Sequence, residues 1–133
     1  MPGASDSTGM TRVALIAHDE EKPELIDLAT EYCDTLAEFE LLATGTSGKR
    51  LIEETDLAVE RRASGPMGGD MQIGSEVAEG RIDAIVFLRD PLRAQPHEPD
   101  ITALLRICDV HDTPLATTRS SAEYVLDGLA DEP

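Results

Sequence analysis

The chain lacks tryptophan, and phenylalanine and tyrosine together make up only 3% of its 133 residues. Binding of nucleic-acid bases or sugars by stacking on aromatic rings is therefore not expected. No apolar run approaches the roughly 18–20 residues that a membrane helix needs. Cysteine is also scarce. Cys33 and Cys108 both fall on apolar helical stripes and are predicted to be reduced core thiols rather than a disulfide.

Positive charge is scarce as well, with 11 basic residues against 27 acidic ones and a net charge of −16. Such a chain should repel nucleic acid and anionic membrane surfaces. Only two of the basic residues, Lys22 and Lys49, are lysines. A surface rich in carboxylates and poor in lysine predicts a salt-loving source, and we expect a halophilic archaeon, since the Debye length shrinks to about 3 Å at molar salt. An acidic protein from ordinary salt is the open alternative.

The first eleven residues are small and polar and have neither the basic region nor the apolar core of a signal peptide. They predict a short disordered leader at residues 1–11, a single domain at residues 12–133, and a cytoplasmic location. The apolar fraction of 41% is enough for that domain to fold around a core.

Apolar runs typical of strands alternate with helical patterns along the chain. Strands are predicted at residues 12–17, 39–43, 57–63, 82–88 and 114–117, and helices at residues 23–36, 49–55, 71–79, 101–108 and 120–129. Alternation of this kind indicates βαβ units. The sequence therefore predicts one three-layer α/β/α Rossmann-like domain with a five-stranded, mainly parallel sheet.

Polar and glycine-rich segments follow four of the predicted strands, where an open parallel sheet binds its ligands. The segments carry His18, Asp19 and Lys22 after the first strand, residues 44–48 after the second, residues 64–70 after the third, and Asp90, His97 and Asp100 after the fourth. One edge of the sheet is thus expected to form a ligand site.

Residues 44–48, with the sequence TGTSG, precede a predicted helix. Backbone N–H groups and hydroxyls at a helix start form a cradle for an anion, and Lys22 could add a point charge. A simple helix cap is the other interpretation of this segment. The phosphate-binding pattern G-x-x-x-x-G-K-[ST] is absent.

Residues 64–70, with the sequence SGPMGGD, place two glycines directly before Asp70 at a helix start. Asp70 is either the cap of that helix or a general base that a ligand can approach closely. The helix N-terminus is expected to keep the carboxylate ionised but weakly basic. It could then remove a carbon-bound proton only if the resulting oxyanion were strongly stabilised.

His97 lies in a proline-rich loop and could donate to a developing oxyanion, although a lone loop histidine is ordinarily a surface residue. His18 has a similar alternative as a polar strand end. A metal site from His18, Asp19, Asp90 and His97 lacks tight ligand spacing. Ser64 lacks the G-x-S-x-G turn of a serine hydrolase.

Taken together, these strings resemble the methylglyoxal synthase family in order and spacing. They are AHDEEK at residues 17–22, ATGT at 43–46, SGPMGGD at 64–70, DPL at 90–92, PHEPD at 96–100 and ALLR at 103–106. The resemblance covers roughly residues 12–124. It implies a carbon–oxygen lyase that converts dihydroxyacetone phosphate to methylglyoxal and inorganic phosphate, a step in a bypass of glycolysis.

The resemblance also assigns roles to matching positions. It implies that Asp70 removes the C3 proton and that His97 polarises the C2 carbonyl. The substrate-binding positions implied are His18, Lys22, Thr44, Gly45, Thr46, Ser47, Ser64 and Gly65. Asp19, Asp90 and Asp100 match supporting carboxylates around the site. The family implies a homohexamer and no metal or organic cofactor.

Two features depart from the family pattern. The chain has nothing basic after Arg119, whereas better-known members carry a C-terminal arginine that reaches a neighbouring subunit's site. Arg106 matches a retained family arginine and could take part of that substrate-binding role, or could be an ordinary solvated helix residue. The negative charge should also oppose an anionic substrate.

Two other functions remain as alternatives. The same fold occurs as a non-catalytic module that senses small phosphorylated ligands, and such a module would not need both Asp70 and His97. An isomerase or another lyase that forms an enediolate from a similar sugar phosphate would use the same groups but give different products.

Overall fold

A computed structural model describes residues 10–95 and 97–131. The predicted leader at residues 1–11 lies outside the described residues except for Met10 and Thr11. The strands are β1 (Arg12–Ala17), β2 (Glu40–Ala43), β3 (Val59–Arg61), β4 (Ala84–Leu88) and β5 (Leu115–Ala116). The helices are α1 (Lys22–Glu31), α2 (Cys33–Leu36), α3 (Gly45–Glu54), α4 (Gly69–Ala78), α5 (Glu98–His111) and α6 (Arg119–Ala130).

The five strands form one sheet in the order β3-β2-β1-β4-β5, and every neighbouring pair is parallel. Four of the five residues of β1 from Val13 to Ala17 are no more than 3% exposed, and Ala17 is 5% exposed. A continuous apolar run is what a parallel strand covered on both faces requires. The predicted fold class is confirmed, with a sheet that is wholly rather than mainly parallel.

Helices cover both faces of the sheet and give two apolar clusters. On one face, α1, α3 and α6 contribute Leu25, Leu51 and Leu126. On the other face, α4 and α5 contribute Ile73 and Leu104. This arrangement is the predicted three-layer domain, and it places the N-termini of α3 and α4 on opposite sides of the same sheet edge.

Several element bounds differ from the sequence predictions. The predicted helix at residues 23–36 is divided at Tyr32, whose φ of −101° and ψ of 22° interrupt the helical backbone. The helices α3, α4 and α5 each begin two to four residues before the predicted start, because the glycine- and proline-rich strings form their first turns. Residues 45–48 therefore lie inside α3, and Asp70 is the second residue of α4 rather than its N-cap, which is Gly68.

The cysteines are free, and Cys108 is buried while Cys33 is half-buried. Burial raises the pKa of the Cys108 thiol to about 11. This thiol is therefore protonated at neutral pH and belongs to the core, as predicted.

Candidate active site

A small cavity of about 70 Å³ lies at the carboxyl edge of the sheet. Its lining includes nine of the fourteen predicted site residues: His18, Asp19, Lys22, Thr44, Thr46, Ser64, Gly65, Asp70 and His97. The strand order reverses direction between β1 and β4, and His18 there donates its backbone N–H to the Leu88 carbonyl at 3.1 Å. Open α/β sheets bind ligands at such a reversal point.

Asp70 is the most deeply placed acid of the cavity, with 0% of the residue exposed. Neither carboxylate oxygen accepts a well-directed hydrogen bond from any residue that the structure describes. His97 approaches it, with Nε2 lying 3.2 Å from Oδ2. Burial raises the pKa of Asp70, His97 opposes the rise, and Asp100 adds to it. The expectation that the helix N-terminus keeps this acid weakly basic is therefore wrong, because loss of hydration dominates.

The His97 ring lies against the backbone of Gly65. A Cβ atom built on Gly65 would lie 2.5 Å from Nε2 of His97. Only a glycine leaves room for the ring at this distance from Asp70. The glycine that sequence analysis assigned to substrate binding thus also makes space for the neighbouring histidine.

His18 is held in one tautomer by a backbone group. Its Nδ1 accepts a hydrogen bond from the N–H of Asp90 at 2.9 Å, so the ring proton lies on Nε2. That Nε2 is buried and has no hydrogen-bond partner among the described residues. Burial lowers the pKa of His18, and the neighbouring His97 and Arg89 lower it further. His18 is therefore a neutral N–H donor in the wall of the cavity.

The N-terminus of α3 forms another wall. Thr44 is the extended residue before the helix, and it is only 4% exposed. Beyond it, the N–H groups of Thr46 and Ser47 have no carbonyl four residues back within the helix to bind. Lys22 is also buried, and its Nζ donates to the Ala17 carbonyl at 3.0 Å. This corner of the cavity can hold an anion.

Lys22 also bonds Asp19, with Nζ 2.8 Å from Oδ1. That hydrogen bond lowers the pKa of Asp19, whose side chain is otherwise 93% exposed. The pair fixes the ammonium group at the rim of the cavity, and it leaves the Asp19 carboxylate largely in solvent.

Five predicted site residues do not line the cavity: Gly45, Ser47, Asp90, Asp100 and Arg106. The Ser47 hydroxyl donates to the Ala17 carbonyl at 3.4 Å, and the same carbonyl accepts from Nζ of Lys22. Asp90 reaches the site through its backbone, and Asp100 through its charge on Asp70. Arg106 lies on an exposed face of α5.

Sequence analysis missed Gln95, which lines the cavity beside His97. Its backbone N–H donates to Oε2 of Glu98 at 3.3 Å, and the N–H of Glu98 donates to its carbonyl at 3.3 Å. These two bonds close a tight turn directly before α5, whose N-cap is His97. No residue pattern in the sequence indicates that this turn places Gln95 in the cavity wall.

Two larger grooves lie elsewhere on the surface. One, of about 470 Å³, runs along α4, and its Arg62 and Arg81 already face the buried Glu76. The other, of about 540 Å³, lies beside Phe39 and Leu129. Among the described residues, neither groove is lined by a buried side-chain atom that lacks a hydrogen-bond partner, so the small cavity is the candidate active site.

Within the described residues, no group of three or more histidine, cysteine, aspartate or glutamate side chains could hold a metal ion. The alternative metal site from His18, Asp19, Asp90 and His97 is therefore not formed. In the same part of the chain, no helix has the length and apolar character needed to cross a membrane.

Comparison with known proteins gives concordant results. Residues 24–117 match the family described as MGS-like domain. Methylglyoxal synthase from Burkholderia cenocepacia is 59% identical over 119 residues, which cover 90% of this chain and 92% of that protein. The Burkholderia lata enzyme is 60% identical over 119 residues, which again cover 90% of this chain and 92% of that protein. These relatives are bacterial and give no support to a halophilic archaeal source.

A solved structure is also similar. The crystal structure of methylglyoxal synthase from Elizabethkingia anophelis has a TM-score of 0.84 and 39% sequence identity, and the match covers 93% of this chain and 79% of that one. With the sequence identities and the matching fold, this places the chain in the methylglyoxal synthase family.

Proposed function

We propose that the chain is a lyase that converts dihydroxyacetone phosphate to methylglyoxal and inorganic phosphate, with Asp70 as the base. The observation that carries the proposal is the fully buried Asp70 carboxylate, 3.2 Å from His97 in a cavity that also contains a helix N-terminus. A base, oxyanion donors and an anion corner are the three elements that this reaction needs.

Asp70 removes a proton from C3 of the substrate. Its raised pKa makes it a stronger base than an ordinary aspartate, and its oxygens make no hydrogen bond with described residues that would have to be broken first. Asp100 supports this role, since its negative charge favours proton uptake by Asp70.

His18 and His97 stabilise the charge that develops on the substrate oxygens. His18 is fixed as a neutral Nε2–H donor by the backbone N–H of Asp90, so it can donate without first changing its protonation. His97 lies beside the base with its ring against Gly65. Asp90 is thus a positioning residue that acts through its backbone.

The phosphate of the substrate binds at the N-terminus of α3, near Thr44 and Thr46, with Ser64 and Gly65 on the facing wall. Lys22 supplies positive charge at the rim. Elimination requires the bond between C1 and the phosphate oxygen to stand roughly perpendicular to the plane of the enediolate. We assign to this corner the task of holding the phosphate out of that plane.

A non-catalytic sensing module is the competing function. It would need the anion corner but would gain nothing from an unpartnered buried carboxylate, which lowers stability and gives a sensing module no function in return. An isomerase would use the carboxylate but would retain the phosphate.

The test is ³¹P NMR of the purified chain with dihydroxyacetone phosphate, followed by a chemical assay for methylglyoxal. We expect equal amounts of phosphate and methylglyoxal from the wild type and from Asp109→Asn, which removes an exposed carboxylate from α5. Asp70→Asn should retain phosphate binding and lose turnover.

Three other outcomes would contradict the proposal. Intact substrate with a shifted ³¹P signal would favour the sensing module. Glyceraldehyde 3-phosphate as the main product would favour an isomerase. Turnover by Asp70→Asn close to the wild-type rate would remove Asp70 from the role of base.

The family resemblance supports three wider proposals: a cytoplasmic location, a place in a glycolytic bypass, and a homohexameric assembly. Arg106, exposed on α5, is the residue of this chain proposed to approach a neighbouring subunit's phosphate. The reaction steps described above use only side chains and backbone groups of this chain.

A further inference from the structure

The two helices that build the site lie on opposite faces of the sheet. Leu51 of α3 belongs to one apolar cluster, whereas Ile73 of α4 belongs to the other. Their N-termini nevertheless bring Thr46 and Asp70 to the same cavity. The distance between the phosphate corner and the base therefore depends on what joins the two helix starts beyond the sheet edge.

Residues 62–65, which we call the strap, join them. The carbonyl of Ala63 accepts a hydrogen bond from the N–H of Gly45 in the first turn of α3 at 3.2 Å. The carbonyl of Ser64 accepts one from the N–H of Gly69 in the first turn of α4 at 2.9 Å. Two successive strap carbonyls thus bind one helix start each.

Both helices begin with a glycine where they meet the strap. A Cβ atom on Gly45 would lie 3.0 Å from the backbone nitrogen of Ser64, and one on Gly69 would lie 1.9 Å from the carbonyl oxygen of Ala63. The atoms that these Cβ atoms would meet belong to the backbone, so they cannot make room by changing a side-chain rotamer. The strap is therefore in direct backbone contact with both helix starts.

Side chains of α4 hold the strap from the other side. Oε1 of Gln72 accepts from the N–H of Ala63 at 2.8 Å, and this is the one hydrogen bond recorded for the Gln72 side chain within the described residues. Four residues further along α4, the buried Glu76 carboxylate accepts two hydrogen bonds from Arg62, at 2.7 and 3.0 Å. Neither residue lines the cavity.

We propose that Gln72 is a positioning residue for reaction specificity: through the Ala63 N–H it holds the strap, and with it the phosphate-facing Ser64 and Gly65, in register with Asp70. The inference rests on the proposed function of the cavity. Gln72 lies only two residues after the base, so a shift of the strap relative to α4 changes the phosphate position relative to the proton that is removed.

The position of the phosphate relative to Asp70 determines which products form, and the products can be measured. When Asp70 takes the C3 proton, the electrons of the C–H bond form an enediolate between C2 and C3. If the phosphate stands out of plane, the C3 hydroxyl loses its proton and becomes the aldehyde carbonyl, while the C2–C3 π pair shifts to form a C1–C2 double bond. The bond between C1 and the phosphate oxygen breaks at the same time, and its own electron pair leaves on the phosphate. The resulting enol becomes methylglyoxal when C1 takes a proton.

If the phosphate lies nearer the plane, the enediolate is instead protonated again. Protonation at C3 returns dihydroxyacetone phosphate, and protonation at C2 gives glyceraldehyde 3-phosphate. In D₂O both events place deuterium on carbon. The ratio of deuterated or isomerised phosphoester to methylglyoxal therefore reports where the phosphate is held.

The experiment measures this ratio by ¹H and ³¹P NMR in D₂O for the wild type, Gln72→Ala, Gln72→Met and Gln72→Glu. Gln72→Glu retains an oxygen that accepts from Ala63, and Gln72→Met retains the length without an acceptor. Ser75→Ala is the control, since Ser75 is exposed on the same helix. A misplacement of the phosphate should raise the ratio by about ten-fold in Gln72→Ala and Gln72→Met.

Gln72→Glu and Ser75→Ala should keep the wild-type ratio. The ratio does not depend on the fraction of folded enzyme, so a merely structural role for Gln72 would lower turnover and leave the ratio unchanged. That result, or a wild-type ratio with normal turnover, would overturn the inference. Methylglyoxal formation by Asp70→Asn at the wild-type rate would instead remove Asp70 from the role of base. Dihydroxyacetone phosphate left intact by the wild type would overturn the proposed function itself.

Discussion

Asp70 combines complete burial with two carboxylate oxygens that accept no well-directed hydrogen bond from the described residues. Burying a charged group without partners opposes folding, and here the same burial raises the pKa of the carboxyl that we propose as the base. The burial of Asp70 thus strengthens the base and at the same time lowers the stability of the fold. Such residues can be replaced to give a more stable and inactive protein.

The consequence for stability has a defined pH dependence. Because the folded-state pKa of Asp70 lies above its ordinary value of 3.8, protonation favours the folded state. The stabilisation is complete at pH values below that ordinary pKa and is lost as the pH rises through the folded-state pKa. At neutral pH the ionised Asp70 therefore lowers the stability of the wild type.

We accordingly expect Asp70→Asn to melt at a higher temperature than the wild type near pH 7. The difference in Tm should shrink as the pH is lowered through the folded-state pKa of Asp70, since the wild-type carboxyl then takes up its proton. Thermal unfolding followed by circular dichroism across this range measures it, with Asp109→Asn as the charge-matched control. A difference that grows on acidification would contradict the raised pKa.

At the scale of elements, the sequence predicts the order and type of nearly every strand and helix but misplaces the helix starts at the site. Glycine is unfavourable in helices, so strings such as residues 45–48 and 68–69 are typical of loops. In the structure Gly45 and Gly69 are required because α3 and α4 begin in backbone contact with residues 62–65. Tertiary contact overrides the local preference.

Contacts between distant segments explain what else the sequence could not predict. The bond from Asp90 N–H to His18 Nδ1 spans 72 residues, and it fixes the tautomer of a histidine that pattern alone leaves as a surface residue. The roles of Gln72 and Gln95 likewise depend on which segments meet. By contrast, the grouping of His18, Asp70 and His97 follows directly from the parallel topology and was predicted.

Replacing Gly65 tests whether turnover requires the close packing of the His97 ring against this residue. In Gly65→Ala the new Cβ atom would meet the His97 ring at 2.5 Å, and the ring must move away from Asp70. We expect kcat to fall by about 10²-fold, the loss that a displacement near 1 Å can cause. Steady-state assays measure it, with melting curves to show that the fold is retained.

Gly74→Ala is the matched control for this substitution. Gly74 lies within α4, where a Cβ atom would only touch Leu104 at 3.7 Å, an ordinary contact distance. Replacing a helical glycine should stabilise the protein by about 0.5–1 kcal/mol and leave kcat unchanged. An active Gly65→Ala variant would show that the His97 position does not matter for turnover.

At the scale of the whole molecule, 27 acidic residues stand against 11 basic ones. The ion pairs that the basic residues form are distributed unevenly over the surface. Arg119, at the start of α6, binds four carboxylates: Glu24, Asp27, Glu31 and Glu123. Its contacts tie α6 to α1 across the surface. Within the part of the chain that the structure describes, Arg50 on α3 binds only Glu54, one helical turn away.

This contrast predicts how salt acts on stability. For the wild type, Tm should climb steeply between about 0.1 and 2 M KCl, because salt screens repulsion among the surface carboxylates. Arg119→Gln and Arg50→Gln each remove one positive charge, but only the first leaves four carboxylates facing one another. We expect Arg119→Gln to have the lower Tm at 0.1 M KCl and to approach Arg50→Gln at 2 M. Differential scanning calorimetry in a KCl series measures both effects.

A flat wild-type curve would show that the net charge does not limit stability. A gap between the variants that persists in 2 M KCl would mean that Arg119 acts by packing α6 against α1 and not through its charge.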